Sequence, residues 1–275
     1  MFLQCGRYKF FLERPLIMGI VNVTPDSFYD GGRLTSHQAA MDHALQLVEE
    51  GAHILDVGGE STRPGALPVS VAEELRRVIP LVEALSARDI PVSVDTHKPQ
   101  VMRAAIQAGA SMINDINALQ SEDALEAVAS SHVAVCLMHK QGDPQTMQAA
   151  PRYEDVVTEV LNFLRVRVEN ALQAGIMAER LLIDPGFGFG KSFDHNVELF
   201  KSMERLKELG VPLLAGLSRK SMLGKITGRD VGDRLAASIT AAVFAVLKGA
   251  KVVRVHDVKA TRDAFAVMQA IGEAT

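Results

Sequence analysis

Asp95, Asn114 and Asp184 stand at or near the ends of apolar runs reading PVSVDT, MINDI and LLID, and Arg254 and His256 interrupt another, VVRVHD. Asp56 does the same inside HILDVGG. An ionised side chain within such a run costs several kcal/mol unless it is partnered, so some of these groups must satisfy one another or a ligand. Two kinds of chemistry are mixed here. Asp95, Asn114 and Asp184 are acceptors suited to a neutral heterocycle that presents a row of N–H groups, because a carboxylate accepts two parallel bonds. Arg63, Lys220, Arg254 and His256 are donors suited to phosphate. A ligand with a nitrogen-rich ring at one end and a phosphate at the other would use both sets.

The stretch LLIDPGFGFGKS ends like a phosphate-binding P-loop, but the glycine that motif needs five positions before Gly190 is Pro185, which has no N–H to donate. The dinucleotide fingerprint fails too, because its third glycine falls on Lys191. What remains is an acceptor, Asp184, followed by Gly186 and Gly188, expected to let the backbone pass close to a flat ring. Lys191 is expected to be a solvated surface residue.

The elements that must position these residues follow one pattern. Strand-like runs occur at 16–23, 53–59, 91–96, 112–116, 134–139, 181–184, 212–218 and 252–257. Between them apolar residues step by three and four, as in Val71, Leu75, Val78, Val82 and Leu85, which draws one helical stripe. Gly51, Gly109, Gly175, Gly210 and Gly249 fall where helices should stop. Eight βα units in this length predict a (β/α)8 TIM barrel, and no linker or shift in charge divides it, so one domain over 1–275 is expected. In a barrel the chemistry belongs at the C-terminal ends of the strands, and all eight exits are polar. Asn22, Thr24, Asp26 and Asp30 follow the first, and Glu60, Ser61, Thr62 and Arg63 the second. Ser218, Arg219, Lys220 and Ser221 follow the seventh. Each alone would pass for a helix N-cap, whereas eight together are harder to explain that way.

A net charge of −4 gives no general attraction for nucleic acid or anionic membranes. The apolar run ITAAVFAVL is too short for a bilayer, which takes about 20 apolar residues. Cys5 and Cys136 lie in no metal-binding spacing, fitting a reducing cytosol. His37, His43, His53 and His132 lack metal-ligand spacing, and Glu60 and Cys136 read as structural.

Taken in order, MGIVNVTPDSFYDGG, DVGGESTRPGA, SVDT, IND, CLMH, DPGFGFGK, SRKSM and RVHDV resemble the dihydropteroate synthases over nearly the whole chain. The resemblance implies a transferase of folate biosynthesis. Its reaction joins (7,8-dihydropterin-6-yl)methyl diphosphate to 4-aminobenzoate, by diphosphate loss and arylamine attack, and its members are sulfonamide targets. It further implies that Asp95, Asn114, Asp184 and Lys220 bind the pterin. Asn22 would ligate Mg²⁺ as cofactor, and Asn22, Thr62, Arg254 and His256 would surround the diphosphate. Asn22, Lys220, Arg254 and His256 would carry catalysis. Thr62, Arg63, Pro64, Phe189, Lys220 and Ser221 would line the aminobenzoate pocket, with the helix after Ser221 receiving the carboxylate. A cytoplasmic homodimer is implied, the AASITAAVFAVL helix being a plausible interface. Tyr29, His97 and Lys140 depart from the usual pattern at peripheral positions. Two alternatives stay open: a methyltetrahydrofolate-binding methyltransferase barrel, which needs no diphosphate site, and a pterin-binding protein without activity.

Overall fold

The computed structural model describes residues 1–23, 33–61, 65–143 and 146–272. Ten strands occur among them. Two, β1 (Phe2–Cys5) and β2 (Tyr8–Phe11), form an antiparallel hairpin. The other eight are β3 (Leu16–Asn22), β4 (Ile54–Gly58), β5 (Val92–Asp95), β6 (Met112–Asp115), β7 (Ala134–Met138), β8 (Leu181–Asp184), β9 (Leu213–Ala215) and β10 (Ala250–Val255). These eight close into a parallel barrel in the order β10-β3-β4-β5-β6-β7-β8-β9, as the eight βα units predict. The helices outside it are α1 (Arg33–Glu50), α2 (Val71–Ser86), α3 (Pro99–Gln107), α4 (Ala124–Ala129), α5 (Val156–Gln173), α6 (Phe193–Lys201), α7 (Ser221–Thr227), α8 (Leu235–Leu247) and α9 (Val258–Gly272).

Strand residues alternate between the two faces of the sheet, and in a closed barrel this parity separates two cores. Ile17, Leu55, Val57, Val94, Ile113, Val135 and Ile183 point outward and pack beneath the helices. Leu16, Met18, Ile54, Met112, Cys136, Leu182, Leu214 and Val252 point inward and fill the lower barrel. The same inward parity, carried two residues further up, brings Asp56, Asn114, Asp184 and Arg254 into the upper barrel. The five glycines expected to close helices all have positive φ, from 70° at Gly210 to 107° at Gly51.

Sequence periodicity gave no sign of the hairpin, whose strands are four residues each. Its Leu3 and Cys5, with Leu12 just beyond it, join the inward core. The Gly6 amide donates to the His132 carbonyl at 3.0 Å, at the end of the barrel opposite the strand exits. The hairpin is therefore the barrel's floor. Strand β9 is shorter than the expected 212–218, because the chain turns after Ala215: the Lys220 amide donates to the Leu217 carbonyl at 3.2 Å and Arg219 is left-handed at φ 58°.

Leu3 is fully buried in that floor, so Leu3→Ala should lower unfolding free energy by about 2–5 kcal/mol, read from urea denaturation. A change near zero would show that the hairpin is not part of the cooperative core.

Candidate active site

Around the upper barrel the inward positions read Asn22 on β3, Gly58 on β4, Asp95 on β5, Asn114 on β6, Met138 on β7, Asp184 on β8, Gly216 beyond β9 and Arg254 on β10. Gly58 is in register with both Asn22 and Asp95. A Cβ there would stand 3.6 Å from that of Asp95 and 3.7 Å from Asn22 Oδ1. A Cβ on Gly216 would stand 3.8 Å from Asp184 Oδ2. The two glycines thus withhold side chains from a ring of polar groups and leave room inside it.

Arg254 neutralises this ring. Its Nε donates to Asp56 Oδ2 at 2.5 Å and its Nη2 to Asp95 Oδ2 at 3.0 Å, while Asn114 Nδ2 also donates to Asp56 Oδ2 at 3.1 Å. Asp56 is fully buried and on the next strand but one from Arg254, so it fixes the guanidinium across the barrel. The sequence shows Asp56 as a buried charge in need of a partner, but not that Arg254 and Asn114 are those partners. The other oxygens, Asp56 Oδ1 and Asp95 Oδ1, are buried with no hydrogen-bond partner. Burial pushes the Asp95 carboxyl well above the usual range; Arg254 pulls it down and Asp56 pushes it further up. Two unsatisfied acceptors beside a space are what an incoming row of N–H donors would complete.

Asp184 faces Asp95 from across the barrel. Its Oδ1 accepts from the Gly186 amide at 2.7 Å, and burial raises its pKa against the pull of that bond and of Lys220. Lys220 is half-buried, with Nζ donating to the Phe187 carbonyl at 2.6 Å and lying 4.2 Å from the centre of the Phe189 ring. Burial lowers Lys220 to about 8, with the Asp184 charge opposing the fall. His256 follows β10, and its Nδ1 is 3.0 Å from Ser218 Oγ, which also accepts from the His256 amide.

The predicted residues thus converge, with qualifications. Asn22, Asp95, Asn114, Asp184, Lys220, Arg254 and His256 lie at the strand exits as expected. Ser221 is exposed at the first position of α7, and Phe189 is half-buried beside Lys220. Thr62, Arg63 and Pro64, like Thr24, Asp26, Tyr29 and Asp30, lie outside the described residues. Glu60, read as structural, is ion-paired with Lys98, which also meets Glu74 at 2.5 Å.

Two expectations about DPGFGFGKS are corrected. Lys191 is not a surface residue: it is 2% exposed, with Nζ 2.9 Å from His139 Nδ1 and from the Gly186 carbonyl. A lone lysine near a helix start reads as solvated, and the Gly186 and Phe189 carbonyls that fold back on it leave no local signal. Gly186 is needed less for a ring than for the backbone of β7's exit, since a Cβ on it would fall 1.9 Å from the His139 carbonyl oxygen. Ser192, the last letter of the apparent P-loop, caps α6 by accepting from the His195 amide at 3.1 Å.

Comparison with known proteins agrees with this geometry. The model of the pterin binding enzyme family matches residues 18–256. The dihydropteroate synthase of Haemophilus influenzae is 51% identical over 264 residues, covering 96% of this chain and 96% of the relative. The structure of Xanthomonas albilineans dihydropteroate synthase with 4-aminobenzoic acid superposes with a TM-score of 0.93 at 56% identity, covering 98% of both chains. That of the same organism's enzyme with 7,8-dihydropteroate gives 0.91 at 53% identity, covering 99% of both. With polar groups at the barrel mouth where a ring and a phosphate would be held, and likeness along almost the entire chain, this protein belongs to the pterin-binding enzymes, among the dihydropteroate synthases.

Proposed function

We propose that the chain condenses (7,8-dihydropterin-6-yl)methyl diphosphate with 4-aminobenzoate to give 7,8-dihydropteroate and diphosphate. The observation that carries this reading is the charge pattern of the mouth: buried acceptors with unsatisfied oxygens on one side, and a clamped guanidinium with an imidazole on the other. Asp95, Asn114 and Asp184 receive the N–H edge of the pterin, and Lys220 donates to the ring from above Phe187. Asp56 and Asp95 occupy two donors of Arg254, which leaves the rest of the same fork for a phosphate oxygen. His256, at the exit of the same strand, serves the same group, and Thr62 completes the diphosphate site.

Catalysis in this scheme is electrostatic. As diphosphate leaves the pterin methylene, Arg254 and His256 oppose the negative charge that builds on it, and the carboxylates of Asp95 and Asp184 favour the cationic ring. The arylamine then attacks that carbon, with Arg63, Pro64, Phe189 and Ser221 holding the aminobenzoate, the place where sulfonamides would compete. The Asn22 amide oxygen fits Mg²⁺: it is a neutral oxygen at the end of β3 beside the open position at Gly58. Among the described residues no group of three His, Cys, Asp or Glu forms a cage, and Mg²⁺ is commonly bound by one or two protein oxygens plus phosphate and water. When bound, Mg²⁺ supplies positive charge to the leaving diphosphate.

Leu235, Phe244 and Leu247 on α8, and Val267 and Ile271 on the neighbouring α9, are exposed apolar residues. They support a homodimer through these helices. Among the described residues no helix is long and apolar enough to cross a membrane. The buried free thiols Cys5 and Cys136 suit a cytoplasmic location.

The deciding assay supplies both substrates and Mg²⁺ together and in all pairwise omissions. Dihydropteroate should form only in the complete mixture, and none in any mixture would sink the reading. Asp184→Asn should raise the dissociation constant for the pterin at least tenfold, about 1.4 kcal/mol, because an amide mismatches a site built around a carboxylate. Calorimetry reads this directly. Lys220 is charged below about pH 8 and loses its proton above it, so kcat/KM for the pterin diphosphate should fall as pH rises through that value. In Lys220→Arg, whose side chain stays charged, that limb should vanish from the pH profile.

A further inference from the structure

Lys191 has no task in the chemistry above, yet its ammonium is buried and ringed by acceptors. Nζ lies 2.9 Å from His139 Nδ1, 2.9 Å from the Gly186 carbonyl and 3.1 Å from the Phe189 carbonyl. His139 is buried, and burial together with the Lys191 charge lowers its pKa to about 2, so its neutral ring accepts from the ammonium. The ring is fixed in turn, edge-on to Phe163 at 4.9 Å.

The loop between Asp184 and Lys191 is bonded along its whole length. Phe187 O accepts from Lys220 at 2.6 Å and Gly190 O from the Tyr153 hydroxyl at 2.9 Å. Gly188 O accepts from Gln148, and the Gly188 amide donates to Asn196 at 2.7 Å. Lys191 gathers the two carbonyls at either end of the turn, and the Phe189 amide closes the turn by donating to Gly186 O at 3.1 Å. The Gly186 amide is the group that orients the Asp184 carboxylate. Phe189 is the ring that lies against the Lys220 ammonium. Burial pulls Lys191 down to about 7 while the Asp184 charge opposes the fall, and Lys191 in turn favours the ionised form of Asp184.

We propose that Lys191 is a positioning residue for the reaction: its ammonium draws the Gly186 and Phe189 carbonyls together, and so sets Asp184 to receive the pterin and Phe189 to wall the aminobenzoate. This rests on the reaction proposed above. The test separates the two by measuring binding of the ring alone. Lys191→Met keeps the length of the side chain and removes its charge and donors. Its affinity for 6-hydroxymethyl-7,8-dihydropterin, which lacks the diphosphate, should fall about tenfold by calorimetry, and KM for aminobenzoate should rise by more than kcat falls. His139→Gln offers the ammonium an amide oxygen in place of the ring nitrogen and should hold that affinity within about twofold. Unchanged affinity in folded Lys191→Met, or an equal loss in His139→Gln, would overturn the proposal, since the effect would then be absent or one of packing.

If Lys191→Met does not fold, the unaltered chain carries the test. With ¹⁵N-lysine labelling, the Lys191 Nζ resonance should move when the same pterin saturates the site, and a resonance that stays still would count against the role. Wild-type protein that binds the ring but makes no product would defeat the reaction and leave the Lys191 result standing.

Discussion

The guanidinium of Arg254 lies between Asp56 and Asp95 in a barrel whose lower inward layer is apolar but for the buried Ser93. Without that cation two buried carboxylates would lose their counter-ion, and a buried, unpaired charge costs several kcal/mol. The pairing does more than cancel charge. By taking one oxygen of each carboxylate it leaves the other oxygen unsatisfied, and those oxygens give the mouth its appetite for N–H donors. The same pair of bonds fixes the plane of the guanidinium, so the donors left over have a set direction. One buried ion network thus supplies both the open carboxylate oxygens and the remaining guanidinium donors that the proposed pterin and diphosphate sites would use.

That network needs space as well as charge. Two of the eight inward positions at the mouth are glycine, and each lies beside a site residue: Gly58 between Asn22 and Asp95, and Gly216 next to Asp184. The β8–α6 loop supplies the wall. Its glycines let the chain press against the exits of β7, so that a Cβ at Gly190 would fall 2.1 Å from the Gln141 carbonyl oxygen. Asn196 of α6 accepts from its Gly188 amide, while Gln148 and Tyr153 before α5 and Lys220 just before α7 donate to its carbonyls. A flexible glycine-rich sequence becomes a fixed surface because neighbouring elements satisfy its polar groups.

Much of this was legible in the chain itself. The eight apolar runs and the glycines closing the helices are local patterns, set by strand parity and helix capping, and they lead to the barrel. Asp95, Asn114, Asp184 and Arg254 stood out because an ionisable or amide group in an apolar run needs a partner. Pairings across the barrel were not legible. That Asp56 belongs to Arg254 joins positions 198 residues apart, and register and closure decide it. The burial of Lys191 is illegible for a related reason: it comes from carbonyls of its own loop and from a histidine just past β7, neither of which leaves a trace in periodicity. The hairpin escaped notice because strands of four residues carry too few alternations to stand out.

Closure of the sheet by β10 against β3 pairs Val252 with Leu16, near the two ends of the chain. Contacts this distant in sequence form late, because loop entropy must be overcome before they stabilise anything. On a ribosome the consequence is sharper. Asp56, Asp95, Asn114 and Asp184 all emerge before Arg254, so the nascent chain carries its acceptors before the guanidinium that balances them, and the lower inward core that the hairpin floors is complete only with Val252. The strand that completes the barrel is also the strand that delivers the charge on which the site depends, so closing the fold and arming the mouth draw on the same six residues.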